Sequence, residues 1–227
     1  MLSRPGSVAA MTRLRFEGHI AGVGTTSGLR AVVGRWGSSP FGNFADVMVE
    51  TADGHRVLLA PTQQVAEFVA TTYRFDEVRV EPVDVVERAG EPGWSVETPS
   101  LRLQLAVGGR TPLGALLRLV PPRLATAPAW SRVTDPVARV VMRGVRTRGS
   151  AGGGRTEVYG ATDVRRITSA QGSFDGVDLG SLAPVDPPCR FGFSSSPRTP
   201  ALTAVVTTIL TDEEQALPGR APDSVPG

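Results

Sequence analysis

Leu14-Arg15-Phe16-Glu17-Gly18-His19-Ile20 alternates apolar or small residues with polar ones at every step. Successive side chains of an extended chain point to opposite faces. Leu14, Phe16, Gly18 and Ile20 therefore share one face, and Arg15, Glu17 and His19 the other. This is the pattern of a half-buried β-strand. Outward from it, the glycine-rich turn around 22–28 leads to a second strand over 29–36. Two further strands over 44–51 and 55–60 flank Ala52-Asp53-Gly54, a hairpin signal because Asp and Gly tolerate positive φ. Thr62 can cap a helix in which Val65, Phe68, Val69 and Thr72 fall at i, i+3, i+4 and i+7.

Strands follow near 77–87, 93–98 and 101–107, with Pro82 shifting the alternation in the first of them toward a bulge or break. The pattern then turns helical. Thr111-Pro112 starts a stripe of Leu113, Leu116, Leu117 and Val120, and Asp135-Pro136 starts another of Val137, Val140 and Val141. Residues 149–154 read as a flexible loop. Strand signals return at 156–161, 163–169, 189–194 and 201–211, with a turn at Asp175-Gly176. The last strand is apolar on both faces and is expected to be central.

About ten strands with helices in one early piece and one central block predict an α+β fold that is mainly β. The expected architecture is an antiparallel β-barrel or strongly curved sheet with a small number of helices, at about 62–73 and 111–144. Residues 11–211 form the single domain, residues 1–10 a disordered leader, and residues 212–227 a disordered acidic, Pro-rich tail.

Composition excludes several chemistries. None of the 227 residues is lysine, so all 24 cationic side chains are arginine, and neither Schiff-base catalysis nor a P-loop lysine is available. Cys189 stands alone, so no intramolecular disulfide forms. With only His19, His55 and Cys189 as soft ligands, no metal site is expected, and no cofactor motif is present. The absence of a long apolar run or an export signal predicts a cytoplasmic chain.

Charge is unevenly spread. From Thr98 to Thr156 the sole acid is Asp135, against ten arginines, for a net of about +9. The plain reading is a set of helices covering the sheet with solvated Arg heads. The functional reading is a basic amphipathic lid carrying Arg118, Trp130 and Arg139, closing over a small apolar or anionic amphiphilic ligand or touching a membrane surface peripherally. Few aromatics and no standard motif argue against nucleic acid.

The aromatic and polar run from Arg35 and Trp36 to Asp46 reads as a pocket rim or as a loop plugged by Trp36 and Phe41. Glu157 and Tyr159 share a strand face, read as a salt-bridged strand in which Arg165 could reach Asp163. The leading expectation is ligand binding in a barrel, using Arg35, Trp36, Arg118, Trp130, Arg139 and Tyr159. One alternative is a metal-free acid–base enzyme built on His19 and Glu17 with Asp46, Glu157 or Tyr159 converging on them. Another is a structural or partner-docking protein. Oligomeric state is left open.

Overall fold

The computed structural model describes residues 11–120, 148–150, 156–192 and 196–212. The expected leader, the tail beyond 212, the helical block from 121 onward and most of the 149–154 loop lie outside these residues. Trp130 and Arg139 lie outside them too.

The chain forms one strongly curled sheet. In chain order its strands are β1 (Met11–Thr25), β2 (Arg30–Ser38), β3 (Phe44–Glu50), β4 (Arg56–Ala60), β5 (Glu77–Val80), β6 (Asp84–Glu87), β7 (Gly93–Glu97), β8 (Leu101–Arg110), β9 (Arg148–Ser150), β10 (Thr156–Phe174), β11 (Val177–Asp178), β12 (Leu182–Ala183) and β13 (Ala201–Asp212). The helices among the described residues are α1 (Gln63–Thr72) and α2 (Pro112–Leu117). The main spatial order is β5-β4-β3-β2-β1-β13-β10-β8-β7-β6. Its two edge strands, β5 and β6, are neighbours in sequence, separated only by residues 81–83. A sheet whose opposite edges are three residues apart must curl back on itself. The break at Pro82 is therefore the corner where the two edges come together.

The inner face of the curl holds the main core. Ala21, Val33, Val47 and Val49 from one half of the sheet meet Val96, Leu103 and Leu105 from the other. The reverse face of β1–β4 is covered separately. There Leu14, Phe16, Leu58 and Ala60 pack against Val65, Phe68 and Val69 of α1, and Val32 packs against Val185, Cys189 and Phe191 of the segment that precedes β13. Strand β13 lies between β1 and β10, which agrees with its apolar character on both faces.

Four local expectations need correction. The pairing is antiparallel except for β4 with β5, which run parallel because α1 forms the crossover between them. The strands expected at 156–161 and 163–169 are one continuous strand, β10. A register shift between Ala161 and Asp163 absorbs the extra residue without ending the ladder. The strand expected from Cys189 does not form over 189–192. There the Arg190 N–H donates to Glu50 Oε2 at 2.7 Å and the Phe191 carbonyl accepts from Arg74 N at 2.8 Å, so these backbone groups find partners outside any ladder. Asp163 is held by Arg110, whose Nε and Nη2 donate to it at 2.7 and 3.0 Å, and not by Arg165.

The helix starts match their signals. Thr62 accepts from Val65 N, and Thr111 accepts from Gly114 N with Pro112 in the first turn. Asp175 and Gly176 both take positive φ in the β10–β11 hairpin, as that dipeptide suggests. No helix among the described residues is long and apolar enough to cross a membrane.

Candidate functional site

The reverse face of the sheet holds a half-open cavity of about 160 Å³ between β1, β2, β3, β10, β13, α1 and the segment before β13. Strand register explains which side chains reach it. Ile20 pairs with Gly34 and Gly34 with Asp46, so a row of reverse-face positions crosses β1, β2 and β3. Phe16 pairs with Thr207 and Thr207 with Tyr159, giving a second row across β1, β13 and β10. Phe16 is the aromatic centre. Its ring stacks on Phe68 of α1 at 5.4 Å and meets Trp36 edge-on at 5.7 Å.

Polar side chains interrupt this lining at Asp46, at Glu157, at the Tyr73–Tyr159 pair and at Thr207, with the hydroxyls of Thr72, Ser196 and Thr203 alongside. Trp36 Nε1 donates to Asp46 Oδ1 at 2.9 Å. Asp46 is 5% exposed, and burial pushes its carboxyl up to about 7, against the smaller downward pull of the Trp36 hydrogen bond. Glu157, 3% exposed, accepts from the Tyr73 hydroxyl at 2.9 and 3.0 Å. The Tyr73 and Tyr159 hydroxyls are 2.5 Å apart. Burial also pushes Glu157 up to about 7, and the phenols offset that only in part. Both tyrosines are raised well above their ordinary value, by burial first and then by the Glu157 charge. Asp46 also acts electrostatically on Tyr159, so the two carboxyls belong to one neighbourhood. The Thr207 hydroxyl is buried in the cavity wall, and its Oγ1 has no hydrogen-bond partner among the described residues.

Unpaired buried hydroxyls and carboxyls with raised proton affinity are costly for a fold. They occur together where a polar part of a ligand, or a proton in transit, completes their bonding. The expectation of a salt-bridged strand at Glu157 and Tyr159 is therefore replaced by a carboxyl–phenol cluster. Glu157 meets no cation among the described residues.

A second cleft, of about 470 Å³, opens on the inner face. It holds His19, Arg35, Glu87, Trp94, Asp163 and Arg165. Arg35 pairs with Glu87 at 2.9 Å, and the His19 ring meets Trp94 edge-on at 6.3 Å. Burial, and then the Arg35 charge, lowers the His19 pKa, so the ring is neutral at pH 7.

The structure thus divides the residues named from sequence. Trp36, Tyr159, Asp46 and Glu157 come together in the reverse-face cavity. His19 and Arg35 share the inner-face cleft. Glu17 lines neither cavity and is held by Arg15 on the surface. His19 and Glu17 consequently do not converge with Asp46, Glu157 or Tyr159. Arg118, at the C-terminal end of α2, is exposed and also lines neither cavity. The sequence reading missed Tyr73 and Thr207. Tyr73 continues the helical stripe four residues beyond Val69 but sits just past the helix. Thr207 is one of several threonines in an apolar strand. No protein-family model matches the chain, and no curated protein matches it.

Proposed function

We propose that the protein binds a small, largely apolar molecule in the reverse-face cavity, with the polar part of that molecule set among Asp46, Thr207, Tyr159 and Glu157. The observation that carries this reading is the Thr207 hydroxyl, buried without a partner among the described residues in a largely apolar cavity that also holds two buried carboxyls. The lining contains aromatic and aliphatic side chains that suit an apolar body. Among the described residues it contains no arginine. An anionic head would meet two carboxyls and no cation among the described residues there, which supports an uncharged or cationic polar end. This favours a neutral amphiphile over the anionic one suggested by the basic segment.

The test is a titration of the full chain with hexanol, hexylamine and hexanoate, followed by saturation-transfer NMR and Trp fluorescence at pH 8. Hexanol or hexylamine should bind and hexanoate should not. Ala161→Phe, which fills the cavity from β10, should abolish binding. Equal binding of hexanoate, or binding that survives Ala161→Phe, would overturn the reading.

A further inference from the structure

The cavity contains more than a binding surface requires. On one side, the Tyr159 phenol and the Thr207 hydroxyl project from directly paired positions of β10 and β13. On the other, Asp46 is fixed by the Trp36 N–H through Oδ1, and its Oδ2 has no hydrogen bond or ion pair among the described residues.

We propose that this cavity is a proton-transfer site for a neutral carbonyl compound, in which Thr207 and Tyr159 hold the carbonyl oxygen and Asp46 moves a proton at the adjacent carbon. This rests on the binding reading above and names its ligand class.

Proton counting in the phenol cluster supports the role of Tyr159. With Glu157 ionised, the phenolic hydrogens are drawn to its carboxylate, as the Tyr73 bonds of 2.9 and 3.0 Å show for one of them. When Glu157 carries a proton, a third hydrogen enters the cluster, and one phenolic O–H can turn to the cavity. Asp46 and Glu157 are both buried and both raised to about 7, so near neutral pH the two carboxyls can share one proton, and the working form is the one with that proton on Glu157 and Asp46 ionised. Thr207 supplies a second donor with no competing acceptor among the described residues. Hydroxyl donors at neighbouring, directly paired positions are what a developing enolate oxygen needs.

The step balances without a co-reactant. Asp46, as carboxylate, takes a proton from the α carbon. The C–H electron pair forms a carbon–carbon double bond, and the carbonyl π pair moves onto oxygen, where the two hydroxyls stabilise it. If the substrate has a β,γ double bond, the dienolate accepts the proton back from Asp46 at the γ carbon. The product is the conjugated isomer, and the carboxylate is regenerated.

The experiment uses the full chain with β,γ-unsaturated cyclohexenone, following conjugation by ultraviolet absorbance. In parallel, α-deuterium uptake into cyclohexanone in deuterium oxide is followed by NMR, and binding of both ketones by saturation transfer. The wild-type chain should accelerate both reactions. Asp46→Asn keeps an acceptor for Trp36 and should retain binding while losing roughly 10²-fold or more in rate. Tyr159→Phe and Thr207→Val should each lose roughly 10²-fold. His19→Gln, in the other cleft, should leave the rate unchanged. Ketone binding with no rate acceleration overturns this proposal and leaves the binding reading standing. A rate that survives Asp46→Asn, or that falls with His19→Gln, also overturns it. Failure of both ketones and of hexanol to bind removes the binding reading as well.

Discussion

The Trp36 indole N–H and Asp46 Oδ1 are joined at 2.9 Å across Gly34, and that bond forms only because position 34 has no side chain. A Cβ built on Gly34 would lie 2.5 Å from Asp46 Oδ1 and 2.7 Å from Trp36 Nε1. Neither atom belongs to a freely swinging chain end. Trp36 is packed on Phe16 and Phe44, and Asp46 is buried. Gly34→Ala should therefore cost about 1–3 kcal/mol, the usual range for overpacking, despite alanine's smaller loss of backbone entropy. Urea melts measure the cost. The Trp emission should shift in the same variant, because its hydrogen bond is lost. Unchanged stability and unchanged emission would mean that Gly34 does not set this geometry.

The two buried carboxyls make stability depend on pH in an unusual direction. Asp46 and Glu157 are both raised to about 7 in the folded chain. Between about pH 4 and 7 the folded protein keeps protons that the unfolded chain has released, so stability falls as pH rises through that window and levels off above it. The contribution is on the order of 3 kcal/mol per group. Asp76, held down by hydrogen bonds from Arg56, acts in the opposite sense but at lower pH and at the surface, where its effect is small. Urea midpoints should be higher at pH 5 than at pH 8. Asp46→Asn should roughly halve that difference and exceed wild type at pH 8. A midpoint that rises from pH 5 to pH 8 would contradict the buried, unpaired state of both acids.

The same two residues show how far the sequence could be read. Alternation in 14–20, the Asp-Gly turns and the doubly apolar final strand are local signals. Each is decided by the side-chain period or by φ tolerance, and each appears in the fold. The curl was legible as one of two architectures, because nothing local states whether a sheet's edges meet. The site depends on register between strands nearly two hundred residues apart, as in the pairing of Phe16 with Thr207. His19 and Trp36 illustrate the difficulty. Trp36 pairs with Gly18 and Arg35 with His19 in one unbroken register, which puts Trp36 on the face away from His19, and that cross-strand pairing is not written in the periodicity of either strand alone. Asp46 and Glu157 were visible as acids near aromatic residues, but their meeting across the cavity belongs to the tertiary fold.

Cys189 lies in the cavity wall, 5% exposed, with its thiol pushed up to about 12, chiefly by burial and then by the Glu50 charge. A thiol rather than a thiolate is present at pH 8, and thiols are poor nucleophiles. The native chain should react with iodoacetamide at least tenfold more slowly than the urea-unfolded chain, by the usual logic of thiolate access. Equal rates, measured by mass spectrometry at pH 8, would show that the segment before β13 opens freely.

That segment is tied down by Glu50. The Glu50 carboxylate is fully buried and accepts from Arg190 N at 2.7 Å and Arg190 Nε at 2.9 Å, and it pairs with Arg30 at 3.2 Å. Arg30 is itself 4% exposed and also donates to the carbonyls of Thr51 and Pro187. Removing Glu50 strands the Arg30 charge in the interior and leaves the Arg190 N–H without its acceptor. Glu50→Ala should therefore cost about 3–5 kcal/mol. Replacing both charges, as in Arg30→Met with Glu50→Leu, should be less damaging than Glu50→Ala alone, because no isolated charge remains buried. Cys189 and Phe191, on either side of Arg190, line the cavity, so Glu50→Ala should also weaken hexanol binding in the molecules that remain folded. Urea melts and probe titrations of the three chains provide the comparison. If the double variant were as unstable as Glu50→Ala, the cost would lie in the lost Arg190 anchor rather than in the stranded Arg30 charge.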